Sequence, residues 1–398
     1  MLISGFGTSI TVDRRRLIIN KETKHKLFEV YPHWIHYDNV IIDGNCGLIT
    51  FEALRWLVKY DIVITTLNCN GNLLSVTLPK ETLSPTLRVK QYLAYLDREQ
   101  RRKIALDILH KKIRKSLDLL VKLSEYYDVL DKSAINNAFY NVDSKFKDSE
   151  DLLAYEGNIA IVYWNGLQKV FSKVYPEFNF TNRNGRRHSW NMNASDEINA
   201  LLNYGYATLE AEIRKDINVV GLDYSINFLH EIKDGKASLV YDIQELYRLL
   251  VDLSVIQLLE ERKLKKRDFI VNENYNLRLR ETTAKTLLDK ITLNFNSSAE
   301  YKDKNHSYQF ILHDNVRILE NNVSSRVKTL SFNIPEIKID RVDHAVLRNR
   351  ILNMSPEERK KLSPARNTLF YMKKNLKDGK KIKVYNKVMS KFNQEVPS

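Results

Sequence analysis

A chain of 398 residues, 43% hydrophobic and 28% charged, is long enough for two or three domains with cores of their own and is not a disordered chain. Its net charge of +14 points to a polyanionic partner, and no apolar run is long enough to cross a bilayer, so no membrane is expected. The two cysteines, Cys46 and Cys69, lack metal-ligand spacing and read as free thiols of a reducing compartment; with no secretory signal at the start, the expected location is the cytoplasm.

Residues 1–80 read as short strands broken by turns. Ser9-Ile-Thr-Val-Asp-Arg-Arg-Arg-Leu-Ile-Ile has the pattern of a hairpin, and Val40-Ile-Ile-Asp-Gly that of a strand ending in a turn. The spacing predicts a helix over 48–60 with Leu54, Leu57 and Val58 inward. A buried strand at 61–67 follows, and Asn70-Gly71 signals a tight hairpin turn into 73–78. Residues 79–85, bounded by two prolines, read as a linker.

From Leu87 the period becomes helical. Leu93, Leu96, Ile104, Leu109, Ile113, Leu117, Leu120 and Leu123 recur at three and four residues among many Lys and Arg. A helix over 149–175 carries Glu156. Another, with Ser195 as its N-cap, runs to about 215. A third, over 237–264, carries Asp242, Glu245, Arg248 and Asp252 at helical spacing. Residues 296–340 show no clear period and read as a connector with strands of uncertain place.

The tail differs in charge. Residues 331–398 hold 16 Lys/Arg against 7 Asp/Glu, nine of the fourteen net positive charges. Three short helices are expected over 343–377, with Pro356 and Pro364 in first-turn positions. The second and third, with Arg366, Lys373 and Lys374, make a helix-turn-helix candidate; a basic extension that packs without reading DNA is the alternative.

Three residues stand in frames that suit one metal ion: Glu156 in Ala-Tyr-Glu-Gly-Asn-Ile-Ala, His230 after Asn-Phe-Leu, and Glu245 three positions after Asp242. Two carboxylates and an imidazole form a mixed O/N set of the kind that takes Mg²⁺ or Mn²⁺ in phosphodiester chemistry. Each also has a plain reading: a wetted Glu, a satisfied His, and an intrahelical Glu245–Arg248 ion pair. Arg183, Arg186 and Arg187, in an Asn/Gly-rich loop, suit either phosphate contact or solvent. Tyr163, Trp164, Tyr204 and Tyr206 suit either base stacking or a core. No phosphate-binding Gly-Lys-Ser/Thr loop, nucleophile elbow or His-Glu-x-x-His motif is present.

The intervening text is more specific. Asp196-Glu-Ile-Asn199-Ala-Leu-Leu-Asn203-Tyr204-Gly-Tyr206 is followed by Gly221-Leu222-Asp223, Phe228-Leu229-His230, and Asp242 to Arg248. In that order these elements resemble the CRISPR-associated integrase family, the first universal CRISPR-associated protein, over roughly 1–290. One departure, Ser195 where a proline is frequent nearby, leaves the acidic residues untouched. The resemblance implies an α+β chain: a small β-rich dimerisation domain (1–80), an all-α catalytic domain (81–295), the connector (296–340) and a basic helix-turn-helix-like extension (341–398). It implies Glu156, His230 and Glu245 as ligands of Mg²⁺ or Mn²⁺, with Asp242 as a nearby acid that aids a second metal or positions water. Arg186, Arg187, Arg248, Arg366, Lys373 and Lys374 are the candidate DNA contacts.

The implied activity is endonuclease and integrase chemistry: a 3′-hydroxyl attacks a phosphodiester and a short spacer enters a CRISPR array. The implied partners are double-stranded and branched DNA, a second copy in a homodimer, and the small second CRISPR-associated protein. Two alternatives stand: a casposase, a transposon-borne relative using the same site on transposon ends, and a non-catalytic DNA-binding scaffold whose acids serve ion pairs.

Overall fold

In the computed structural model, β1 (Leu2–Ser4) precedes the expected hairpin, β2 (Thr8–Asp13) with β3 (Arg16–Lys21), and the strands β4 (Phe28–Val30), β5 (Asn39–Asp43) and β6 (Gly47–Ile49) follow. The hairpin turns on Arg14 and Arg15, both at positive φ (47° and 67°), as a two-residue turn matched to strand twist requires. Helix α1 (Phe51–Lys59) then leads to β7 (Val63–Leu67) and β8 (Leu73–Thr77). One sheet has the order β1-β5-β7-β8, with its first three strands parallel, and the other β4-β3-β2-β6. Ile3, Ile10, Leu17, Ile19, Val40, Trp56, Leu57 and Ile64 form the core of this block.

The residues described are 1–337, except 5–6, 22–27, 32–38, 45, 69–70, 78–83, 143–150, 184–193, 230, 233, 262–263 and 272–275, together with 339, 352, 371, 373 and 374. They fall into two units, Met1–Ile337 and Lys338–Ser398. In the second, residues 371, 373 and 374 are helical; the rest of the expected helix-turn-helix, Arg366 included, lies outside the described residues.

Helix α1 starts later than the expected residue 48, since Leu48 and Ile49 belong to β6, and it turns a different face inward. Ala53, Trp56 and Leu57 are buried, whereas Leu54 packs at the edge and Val58 is exposed. Trp56 carries the largest apolar area of the helix, and its indole N–H donates to Arg15 O (2.9 Å), so it takes the inward position. Thr50 caps the helix by accepting from Ala53 N, a contribution of about 1 kcal/mol.

The helical part comprises α2 (Pro85–Leu96), α3 (Arg98–Ser124), α4 (Lys132–Tyr140), α5 (Asp151–Val174), α6 (Glu197–Val220), α7 (Ser238–Glu261), α8 (Glu281–Phe295) and α9 (Tyr308–Val323). Two hairpins interrupt it, β9 (Phe269–Val271) with β10 (Leu277–Leu279), and β11 (Ser298–Tyr301) with β12 (Lys304–Ser307). The chain is therefore mixed α+β, with strands in front and helices for most of the rest. The stretch 296–340, expected as a connector with strands, does hold a strand pair, β11 with β12, but also supplies α9, whose Ile311, Leu312, Val316 and Leu319 are fully buried. Its polar positions hid the period: Asn315 is also buried, paired with the Tyr247 hydroxyl and the Asn333 carbonyl.

Helix α7 lies at the centre and is buried on every side, from Ser238 to Leu259. Two glycines let its neighbours come close. A Cβ on Gly205 of α6 would sit 2.4 Å from Val251 of α7, and one on Gly166 of α5 would sit 2.8 Å from Leu120 of α3. Helix α6 begins one residue later than the sequence suggested, because Asp196 rather than Ser195 accepts from Asn199 N (2.8 Å). It also runs past 215 to Val220, where Gly221 at φ 85° closes it. The β block is fastened to the helices by Asn39 Nδ2 donating to Glu212 Oε1 (3.1 Å) and by Arg278, which donates to Asn68 O (2.6 Å) and pairs with Asp43.

Candidate active site

Helix α7 carries Glu245, Arg248 and Asp252 on successive turns, so three charged side chains leave one face of a helix that is otherwise core. They line a cleft of about 80 Å³ with Lys112 and Ser116 of α3, Glu156, Tyr163 and Trp164 of α5, and Tyr206 of α6. Four helices thus converge on it. Glu156, expected as one ligand, and Glu245, expected as another, both meet the ammonium of Lys112: Nζ is 2.9 Å from Glu245 Oε2 and in direct contact with Glu156 Oε1. On its other oxygen Glu245 accepts from Arg248 Nη1 (2.7 Å).

The electrostatics follow from this bracketing. Burial disfavours the Glu245 carboxylate, but Arg248 and Lys112 outweigh it and hold its pKa below the usual value. Burial likewise opposes the charge on Lys112, and the two glutamates override it, so its pKa is raised. Both groups stay charged at neutral pH.

A second layer of bonds lies behind. Asp252, 1% exposed, accepts from the Tyr163 hydroxyl (2.5 Å) and from the Tyr206 hydroxyl. Burial outweighs these bonds and pushes its carboxyl pKa up. The Tyr206 ring lies beneath two guanidinium groups, Arg248 at 4.5 Å and Arg183 at 5.1 Å. Arg183 also donates to Asn199 Oδ1 (2.7 Å) and Asn203 Oδ1 (2.6 Å). Asn199, Asn203 and Tyr206 of the Asn199–Tyr206 text therefore brace the cleft from within. Tyr163, Tyr204 and Tyr206 are core side chains rather than stacking surfaces, and Arg183 is held inside rather than solvated.

His230 lies outside the described residues, but the segment leading to it does not. Asp242, fully buried, accepts with Oδ2 from the backbone N–H of both Phe228 (2.8 Å) and Leu229 (2.9 Å). Arg101 donates to Phe228 O (3.2 Å) and pairs with Glu231 (3.4 Å). The backbone entering His230 is thus tied to α7 one turn before Glu245. Asp242, expected as an acid for a second metal or a water, is fully buried, and the two N–H donors on its Oδ2 give it an anchoring role for this backbone.

Of the expected DNA contacts, Arg186, Arg187 and Arg366 lie outside the described residues. Arg248 lines the cleft while holding Glu245. In the second unit Lys374 is exposed and Lys373 half-buried. Two further residues at this site, Lys112 and Arg101, were not singled out from the sequence, and Asp252, noted there only for its helical spacing, is the hub of the tyrosines.

Two carboxylates converging on one cationic point suit a hard divalent ion, which favours oxygen donors and open positions. Among the described residues no set of three His, Cys, Asp or Glu donors assembles; the third expected ligand is His230. No helix among them is long and apolar enough to cross a membrane.

The family model for CRISPR associated protein Cas1 matches residues 1–292. A CRISPR-associated endonuclease Cas1 from Archaeoglobus fulgidus is 28% identical over 78% of the chain and 92% of its own length. One from Francisella tularensis subsp. novicida is 38% identical over 39% of the chain and 43% of its own. Among solved structures, a casposase bound to integration product matches at TM-score 0.76 and 35% identity, over 89% of this chain and 98% of that one. A Cas1 protein from Thermotoga maritima shares the fold at TM-score 0.65 and 19% identity, over 84% of this chain and 100% of its own.

Proposed function

The chain belongs to the CRISPR-associated protein Cas1 family, and from that premise we propose that it is a metal-dependent DNA endonuclease and integrase that joins a DNA 3′-hydroxyl to a phosphodiester. The observation that carries this reading is the convergence of Glu156 and Glu245, from two helices, on a single cationic point in a cleft. Glu156, Glu245 and His230 would hold Mg²⁺ or Mn²⁺. Once bound, the ion supplies polarisation of the phosphodiester and neutralisation of the leaving oxygen.

The chain's own residues do the rest. Arg248 keeps Glu245 ionised and fixed in direction, and is itself kept in place by the Tyr206 face. Asp252 sets the two tyrosines, and Asp242 fastens the backbone that enters His230. Fixing ligands through their neighbours in this way commonly accounts for 10–100-fold in affinity or rate. The basic residues 341–398 are read as a helix-turn-helix-like grip on phosphates, and the protein as a homodimer.

The test is strand joining of a 3′-hydroxyl duplex and of branched DNA with Mn²⁺. Glu156→Ala, His230→Ala and Glu245→Ala should each lose roughly a hundredfold or more, beyond the effect of a neighbour to a ligand. Full activity in Glu156→Ala or His230→Ala would remove the metal assignment and leave the scaffold reading, in which these acids serve ion pairs.

Two biologies use such a site. The names of the curated relatives favour insertion of spacers into a CRISPR array, with the small second CRISPR-associated protein as bridge. The likeness to the casposase favours integration of transposon ends without that bridge, since it extends over more of the chain than the family model does. Supplying repeat-array targets and donors with terminal inverted repeats in the same assay separates them.

A further inference from the structure

The ion-pair geometry of the cleft assigns a role to Lys112 that rests on the metal reading above. We propose that Lys112 is a resident counter-cation of the Glu156–Glu245 site, which a divalent ion must displace, so that metal loading is coupled to arrival of a DNA phosphate that receives the displaced ammonium.

The geometry leaves the ammonium and a divalent ion in competition. Nζ stands within bonding reach of one oxygen from each glutamate. An ion held by the same two oxygens needs the same space. In the ion's absence the two carboxylates are like charges facing each other in a half-buried cleft, an arrangement that a single positive charge between them relieves. Lys112 therefore holds both acids pointed at one place, ready for a ligand set. Arg248 cannot substitute, because it bonds Glu245 alone and is braced on the Tyr206 ring. A lysine on four methylenes can swing, whereas a stacked guanidinium is fixed.

The charge count says where Lys112 goes. Among the described residues, Glu156, Glu245 and Asp252 stand against Lys112, Arg248 and Arg183, three acids and three bases around one cleft. Counted at full charge, these six groups balance. A divalent ion leaves them with an excess of positive charge, and the displaced ammonium lines the same cleft. An anionic phosphodiester offsets that excess and takes up the ammonium. Coupling of this kind is reciprocal: DNA tightens the ion by the factor that the ion tightens DNA.

The register of α3 places Lys112 for this task. It falls four residues after Ile108 and three after Leu109, both fully buried, so its stem leaves the apolar face of the helix rather than the solvated one.

Titration of Mn²⁺ into the full-length protein, followed by the free-ion electron paramagnetic resonance signal, reads the inference apart from catalysis. Without DNA, Lys112→Met should bind Mn²⁺ about tenfold more tightly than wild type, the scale of one half-buried ion pair no longer broken. Lys112→Arg, which grips carboxylates more firmly, should bind it more weakly than wild type. A short duplex should raise affinity in both wild type and Lys112→Met, through its own phosphates, but by a larger factor in wild type. Melting in EDTA checks the fold of each variant. Should Lys112→Met not fold, the Lys112→Arg comparison decides alone, and affinity equal to or above wild type overturns the proposal. Equal or weaker binding by folded Lys112→Met overturns it also, while leaving the metal reading intact. No Mn²⁺ binding by any of the three removes the metal reading, and this inference with it.

Discussion

Two buried ion clusters sit in the same unit and use the same residue types to opposite ends. At the seam between the β block and the helices, Arg278 meets Asp43 and the Asn68 carbonyl. The Asp43 carboxyl is pushed up, because burial outweighs the attraction of Arg278 and its bond. In the cleft, Glu245 is pulled down, because Arg248 and Lys112 outweigh burial. The seam matches one acid to one rigid guanidinium and is closed. The cleft shares one flexible lysine between two acids and opens onto a cavity. What separates a structural cluster from a chemical one here is the number of acids per cation and the freedom of that cation, not the presence of charge.

The comparison can be broken in several places. The largest effect is expected at the seam. Arg278→Ala strands a buried Asp43 and should cost about 3 kcal/mol of stability, read as a shift in denaturant midpoint at unchanged slope; a loss under about 1 kcal/mol would place the seam with ordinary surface pairs. Next is the layer behind the cleft. Asp252→Asn keeps the shape but removes the charge facing Arg248 and Arg183, and strand joining should fall about tenfold with little change in melting. Unchanged joining would reduce Asp252 to a packing residue.

The smallest effect is expected at a third pair, open enough to titrate. His313 Nδ1 lies 3.2 Å from Asp216, and the bond to Asp216 raises the His313 pKa above its ordinary value despite burial. A raised folded-state pKa contributes stability that is fully present below the unfolded value of about 6.5 and is lost as pH rises through the folded value. Melting temperature should therefore decline on the order of 1 °C across that window, and His313→Gln should remove the decline. A wild-type curve flat from pH 6 to 8 would count against the pair.

Much of this architecture was legible because local and global signals agreed. The alternation over 9–19 announced a hairpin, and Gly71 does adopt the positive φ that its turn needs. Glu245 and Arg248 were legible as neighbours by spacing alone. Other features were hidden for physical reasons. Lys112 sits among Lys111, Arg114 and Lys115 in a helix rich in basic residues, so residue type conceals it; register against Ile108 and Leu109 would have found it. Asp252 lies inside the run Leu-Val-Asp-Leu-Ser-Val, where an acid without a near partner in sequence reads as an oddity, and its partners Tyr163 and Tyr206 are 89 and 46 residues away. Asp242 was read as chemistry because the family resemblance carried it over, and its bonds to the Phe228 and Leu229 backbone, which no sequence pattern announces, add an anchoring role.

One consequence follows from α7 being surrounded on all sides. A helix with core residues on every side opens only when its domain opens, so amide exchange near Glu245 is expected in the slowest class, set by global unfolding. On the proposed reading, the Glu245 carboxylate thus has no soft, half-folded condition in which it remains present but misaimed. Heat or denaturant abolishes ligand geometry and globular structure in one event, and a molecule still folded is a molecule still armed.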